Sequence, residues 1–410
     1  MNLNLYIGKK IGGNSRIATA SVTLSLCVIL TSIAVSEGFK REIGEKAVAF
    51  SGEIMLSVPG EDITSYEYSI DENLSFLPEI ASLKGVRSIN GVAYSPGMIK
   101  TDDALSGALF KGVTADYDLS FFSDYITDGK LPGLNTENPS DEILISRRLA
   151  SAMEFTTGDR ITSYFIDGNN VKARKFTVSG IYDIQLEDID ERLVICDRRH
   201  TQKLNGWSPS EVSCIEISLG GDGSAISNSR RERTVAEIDR IFLASDCEQD
   251  SSVTIQSVDR VYLTLFDWLG LLNMNVLIIL ILMTAVAGFN MISGLLIILF
   301  RNISAIGLFK SLGMRTSGVC RVFLWKAGVI ILKGLALGNA LAVPLLLLQK
   351  HFRILKLDAA NYFVDHVPIC LSVPMVLAVN LFSFLIMMLI MMIPCRFISG
   401  VSPDKTIKVS

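Results

Sequence analysis

Four apolar stretches, and the gap between the first and the other three, constrain this chain most. One runs near residues 17–36. Three more, at about 270–300, 322–348 and 371–395, fill the last third, and over 200 mostly polar residues intervene. A bilayer core of about 30 Å takes roughly 20 apolar residues in a helix rising 1.5 Å per residue. Each stretch is long enough. The expected architecture is a membrane protein with four transmembrane α-helices and a large α+β domain inserted between helices 1 and 2.

Charge sets the orientation. Residues 1–36 carry Lys9, Lys10 and Arg16 and no acidic residue, and the loop after the second span holds Arg301, Lys310, Arg315 and Arg321, again without Asp or Glu. The tail has Arg396, Lys405 and Lys408 against Asp404, whereas 350–370 is mixed. Excess Lys and Arg marks the cytoplasmic side. Both termini are therefore expected in the cytoplasm and the large domain on the other side of the membrane. The expected boundaries are 1–38 for the N-terminal segment and helix 1, 39–267 for the periplasmic domain with helical stalks, and 268–300 for helix 2. A cytoplasmic loop at 301–321, helix 3 at 322–349, a periplasmic loop at 350–370, helix 4 at 371–395 and a tail at 396–410 complete the chain. Residues 37–267 hold 23 basic and 39 acidic residues, and the remainder 15 and 3. An acidic domain on a basic membrane base argues against nucleic-acid binding. Ser32-Ile33-Ala34 resembles a small-x-small cleavage site, but the apolar run of about 19 residues exceeds a signal core, so an uncleaved anchor is expected.

In the inserted domain, Glu37/Arg41 and Glu42/Lys46 have i,i+4 spacing, which predicts that the first helix continues as an exposed stalk. Val258, Val261, Tyr262, Leu265 and Phe266 follow helical spacing on the approach to span two. Glu53–Val58 reads as a strand ending at Pro59-Gly60. Arg160–Ile166 and Lys175–Tyr182 alternate around Asp167-Gly168-Asn169-Asn170, which predicts a hairpin. Ser146–Met153 reads as a short helix, Ser213–Leu219 as a strand, and Gly220–Ser229 as a loop. His200 is the domain's sole histidine, and Cys196, Cys214 and Cys247 are an odd trio, so neither a metal site nor a disulfide framework is expected. No catalytic residues are expected, and acidic pairs such as Asp102-Asp103 read as solvated surface.

The basic loop is amphipathic. Ile303, Ile306, Lys310 and Gly313/Met314 fall near one another at helical spacing, with Gly313 placed to end the helix. A cytoplasmic helix with exposed apolar residues rests on lipid or on a partner.

Ala287-Gly288-Phe289-Asn290-Met291-Ile292-Ser293, leading into Ala305-Ile306-Gly307-Leu308-Phe309-Lys310-Ser311-Leu312-Gly313, resembles the FtsX-like permeases of ABC transporters, and most of all the membrane subunits of lipoprotein-releasing systems. Ser36-Glu37-Gly38-Phe39, Ser146–Ala150, Gly158-Asp159-Arg160, Phe176–Tyr182, Leu265–Leu269 and Tyr362–Pro368 extend the resemblance in order along the chain. The resemblance implies the four-helix permease architecture shared with macrolide exporters. It also implies a coupling helix, with Ile303, Ala305, Ile306, Phe309, Lys310, Leu312 and Gly313 as contacts to an ABC ATPase subunit. This chain has no Gly-x-x-x-x-Gly-Lys-[Ser/Thr], so ATP and Mg would be handled by that partner, with no cofactor and no enzyme activity here. A second permease subunit, identical or a sister, is implied as well.

The cargo expected from the resemblance is a lipoprotein or other amphipathic molecule taken from the inner membrane, with a periplasmic carrier as a further partner. Two departures stand out. Asn302-Ile303-Ser304 is neutral where many relatives are acidic, and the link from Phe165 to Phe176 is short where the carrier-engaging subunit has an extended loop. The alternatives are an FtsX-like signalling permease that controls periplasmic cell-wall hydrolases, and a macrolide or peptide exporter permease.

Polar groups within the spans are further candidates. Lys326 and Lys333 lie seven residues apart, on roughly one face of span three, and Lys333 sits about 17 Å into it. A charge at that depth costs a few kcal/mol unless it faces protein or water; it fits a cargo or subunit contact, or a snorkelling lysine. Gly334 and Gly338 have the spacing of a close helix contact. Asn290 and Asn380 suit bonds across helices or to local backbone, and Pro344 and Pro374 suit a kink or a helix start.

Overall fold

The computed structural model describes residues 16–397 apart from 66, 102–103, 168–169, 187–190, 221–227 and 245–252. They form two compact units. One comprises the residues up to Lys40, Asp267–Lys356 and those from His366 on; the other comprises Arg41–Phe266 with Leu357–Asp365.

The first unit is helical. Its elements are α1 (Arg16–Ser51, up to Lys40), α2 (Leu263–Arg301, from Asp267), α3 (Ile303–Ser311), α4 (Thr316–Phe352) and α5 (Val373–Ile390). Among the described residues, four helices are long and apolar enough to cross a membrane: α1, α2, α4 and Val373–Pro394. Pro374 lies in the first turn of α5, where a missing N–H costs nothing, and Ser372 caps that turn by accepting from Met375 N. Pro344, expected as a kink or a start, sits inside a helix that continues to Phe352. The core joins Val22 and Leu26 of α1, Met291 and Leu295 of α2, Ile331 of α4 and Met387 of α5. These residues recur at helical spacing, which gives each helix one buried stripe.

The second unit is built on a ten-stranded mixed sheet. Its strands are β1 (Ile54–Ser57), β3 (Val86–Lys100), β4 (Leu105–Val113), β5 (Ile126–Gly129), β6 (Glu142–Ser146), β7 (Arg160–Asp167), β8 (Asn170–Tyr182), β9 (Leu193–Asp197), β11 (Cys214–Leu219) and β12 (Thr254–Ser257); β2 (Ile70–Asp71) pairs with β10 (Glu211–Val212) separately. The order is β12-β1-β11-β3-β4-β9-β6-β8-β5, with β7 bridging β3 and β8. β4 with β9 and β6 with β8 are parallel, and the apolar runs of β6 and β9 are buried throughout.

The expected hairpin is present as β7 and β8. Its register closes at Asp167↔Asn170, so β8 begins five residues before Lys175. The expected helix forms as Arg147–Met153, with Ser146 capping Leu149 N. A helix over Asn228–Ala244 enters the segment read as a loop, whose residues 221–227 lie outside the described ones. The stalk reading changes in detail: Arg41 pairs with Glu45 and Lys40 with Glu37, while Lys46 is buried and donates to Phe363 O at 2.9 Å. At the far end, backbone at Tyr262 separates a short helix (Val258–Val261) from α2, so the approach to span two is not one continuous helix.

Candidate functional site

The basic segment between the second and third spans folds as α3, closed by Gly313 at φ +84°, a conformation that favours glycine. Ile306 is buried in the helical core beside Val319 and Phe323, and Ile303, Ala305 and Lys310 are half-buried. The side chain of Phe309 lies outside the described residues. The exposed apolar groups are Leu308 (57%) and Leu312 (76%), on the face shared with Ser304 and Ser311 and flanked by exposed Arg301 and Arg315. The face available to a partner is thus centred on Leu308 and Leu312. Of the contacts the resemblance implies, Leu312 lies on this face, whereas Ile306 is buried within the chain's own helical core.

Of the polar positions in the spans, Gly334 and Gly338 lie where α4 meets α1. A Cβ on Gly334 would stand 2.6 Å from Val22 Cβ, and one on Gly338 would stand 2.9 Å from Leu26 Cδ2. The freed space admits two cross-helix bonds, Thr23 Oγ1 to Gly334 O at 3.1 Å and Cys27 Sγ to Gly338 O at 3.4 Å. Asn290 donates to Ser21 Oγ at 2.8 Å, tying α2 to α1. Asn380 exchanges bonds with Asn339 at 2.7 and 3.0 Å and also reaches Val376 O, so both of its expected bonds form. Sequence reading missed Asn339, although it lies one residue beyond Gly338. Lys326 is half-buried and Lys333 exposed, so Lys333 points away from this bundle's core.

Segments far apart in sequence also meet in the helical unit. Gly38 passes so close to Pro368 that a Cβ would stand 2.2 Å from its carbonyl oxygen, Cys370 N donates to Ala34 O at 3.0 Å, and Phe39 packs edge-on against Trp268.

The sheet domain holds a polar cluster that joins residues distant in sequence. Lys111 of β4 and Glu216 of β11 are each 1% exposed and pair at 2.8 and 3.1 Å. The ammonium also donates to Tyr117 Oη at 2.9 Å and to the carbonyl of Phe50, one of the unpaired carbonyls in the last turn of α1. Tyr117 donates to Glu216 Oε2 at 2.7 Å. Burial, then the Glu216 charge, pushes the hydroxyls of Tyr94 and Tyr117 well above the ordinary tyrosine range. Burial does the same to the Cys214 thiol. α1 itself ends at Gly52, at φ +68°, whose N–H returns to Val48 O at 2.7 Å. The available signal was a charged residue inside each apolar strand, Phe110-Lys111-Gly112 and Ile215-Glu216-Ile217.

Residues 277–403, from within α2 to beyond α5, match the FtsX-like permease C-terminal family. That match, together with four helices among the described residues long and apolar enough to cross a membrane and a short basic helix between the second and third, is the pattern of an FtsX-like permease. Along nearly its whole length the chain is similar to the lipoprotein-releasing system transmembrane protein LolC of Xylella fastidiosa, at 19% identity over 94% of this chain and 92% of that one. It is similar to LolC of Neisseria meningitidis at 21% identity over 86% and 83%. The periplasmic region of MacB from Actinobacillus actinomycetemcomitans overlaps 53% of this chain and 94% of its own length, at 12% identity and a TM-score of 0.34.

Proposed function

We propose that this chain is the membrane subunit through which a separate ABC ATPase drives the movement of lipoproteins, or other amphipathic cargo, out of the inner membrane. The observation that carries the reading is α3. A nine-residue helix, flanked by arginines and free of acidic residues, leaves Leu308 and Leu312 exposed between two spans. Exposed leucines at a membrane's cytoplasmic face need a covering groove. In this reading nucleotide-driven closure of the ATPase moves α3. The helices then tilt, and the sheet domain, on the periplasmic side, changes shape. The termini are cytoplasmic, following the Lys and Arg excess of residues 1–36 and the tail. A second permease subunit completes the unit, and Lys333, exposed on α4, is offered as a contact for it or for cargo. The lipoprotein assignment draws on the names of the LolC relatives. Any periplasmic carrier would have to engage a surface other than an extended loop between β7 and β8, which this chain lacks.

The test is co-purification from mild detergent with mass spectrometry of the bound proteins. Wild type is expected to bring down an ATPase and acylated proteins, and Leu308→Asp with Leu312→Asp to lose the ATPase while still inserting in the membrane. An ATPase retained by that double variant would remove α3 as the coupling element. A cell-wall hydrolase in place of acylated proteins would replace transport by signalling.

A further inference from the structure

The sheet domain contains a cavity of about 570 Å³ on the face bearing Tyr94 of β3 and Leu109 of β4. At about 30 Å³ per water in the liquid, this is far beyond a packing defect, and it falls within the range of ligand sites, about 300–1,000 Å³. Its walls include Phe50, Leu186, Leu193, Val261, Leu265 and Phe363. Gly107 lines the β4 wall, and a Cβ there would stand in open space, with nothing within 4 Å. Polar groups are few. Asp62 is engaged locally, accepting from Thr64 N at 2.9 Å and Thr64 Oγ1 at 2.8 Å. Arg192 is exposed, and among the described residues its guanidinium has no partner, while its carbonyl is held by Leu109 N at 2.7 Å.

An apolar body beside a cation that has no partner among the described residues describes an amphiphile's complement. An extended peptide fits worse, since it needs a free strand edge or backbone partners. β4 is paired with β3 along Leu105–Gly112 and with β9 from Leu109 on, so only its short stretch Leu105–Ala108 keeps an unpaired side beside the cavity, too little for a strand. We propose that this cavity binds a hydrocarbon chain of an amphiphile whose anionic head group engages Arg192. The inference deepens the amphipathic-cargo reading and rests on it for the ligand's physiological source.

The full chain in lipid nanodiscs is irradiated with a diazirine-bearing stearate, and labelled peptides are mapped by mass spectrometry. Labelling is expected in the peptides holding Leu193 and Leu265 and in the spans, the latter serving as an internal standard. Gly107→Trp should lower cavity labelling at least about tenfold with the span label unchanged. Arg192→Glu, at an exposed position that does not threaten folding, should lower it by about tenfold or more, the loss expected for a hydrogen-bonded charge. Stearate should compete and octadecylamine should not. Cavity labelling that ignores both variants, or competition by the amine equal to that by stearate, would overturn the assignment. An absent cavity label with ATPase association intact removes the cavity alone, whereas loss of ATPase association in wild type removes the transport reading and leaves the label to stand or fall by itself.

Discussion

Replacing Lys111 by Met should damage the sheet domain more than any surface change could. The ammonium makes three kinds of bond, to Glu216, to Tyr117 and to the Phe50 carbonyl, at a position 1% exposed. Methionine keeps much of the packing volume but leaves the Glu216 carboxylate buried with only the neutral hydroxyls of Tyr117, at 2.7 Å, and Tyr94, at 3.4 Å, as side-chain donors, and leaves the last turn of α1 without its cap. Removing one member of a buried pair costs about 3–5 kcal/mol. For a domain of this size, each kcal/mol lowers Tm by about 2–4 °C, which gives a drop of roughly 6–20 °C. Replacing both members is different, because the desolvation of two charges is then removed along with their attraction. Lys111→Met with Glu216→Leu should therefore recover more than half of the loss. Amide hydrogen exchange of the full chain reads both effects. Protection in β4, β11 and the last turn of α1 should fall by about 10² or more in Lys111→Met and return in the double variant. A single variant within about 1 kcal/mol of wild type, or a double variant that equals the sum of the singles, would refute the anchoring argument.

The other expectations are more local. Ile306→Asp should lower the stability of the helical unit, seen as reduced membrane-inserted protein, because a carboxylate there enters the buried core rather than a partner's groove. Gly334→Leu should cost about 1–3 kcal/mol in detergent unfolding, since its first carbon already meets Val22, whereas an added side chain at Gly270, with nothing within 4 Å, should not. Asn339→Leu with Asn380→Leu should show a coupling of about 0.6 kcal/mol, typical of polar pairs between membrane helices. The acid limb of sheet-domain unfolding should depend on Asp197. Burial pushes its carboxyl up, but the Arg199 side chain and the backbone N–H groups of Ser140 and Arg199 outweigh that and hold it below the usual range. A depressed folded pKa means that its contribution is complete above the unfolded value near 3.9 and is lost as pH falls through the folded one. Asp197→Asn should thus flatten the decline of Tm below about pH 4, and an unchanged slope would count against that role.

What the sequence made legible follows from which signals are local. Four apolar runs, the Asp167–Asn170 hairpin and the short helix after Ser146 depend on neighbours in the chain, and each was readable from period or composition. The Lys111–Glu216 pair joins residues 105 positions apart, and no local rule brings β4 and β11 into one layer. A charged residue inside an apolar strand announces that a partner must exist, because isolated burial is too costly, but not which residue supplies it. The same limit governs α3. Its periodicity places Ile303, Ile306 and Lys310 near one face and leaves Leu308 and Leu312 on another, so two apolar faces compete. Only the packing of α4, with Val319 and Phe323 buried beside Ile306, decides which face is used up inside the chain. Burial therefore reverses the weight of the candidate residues. Of the contacts the resemblance implies, Ile306 is buried within the chain's own core while Leu312 is exposed, and with Leu308 it is left to meet whatever covers this helix.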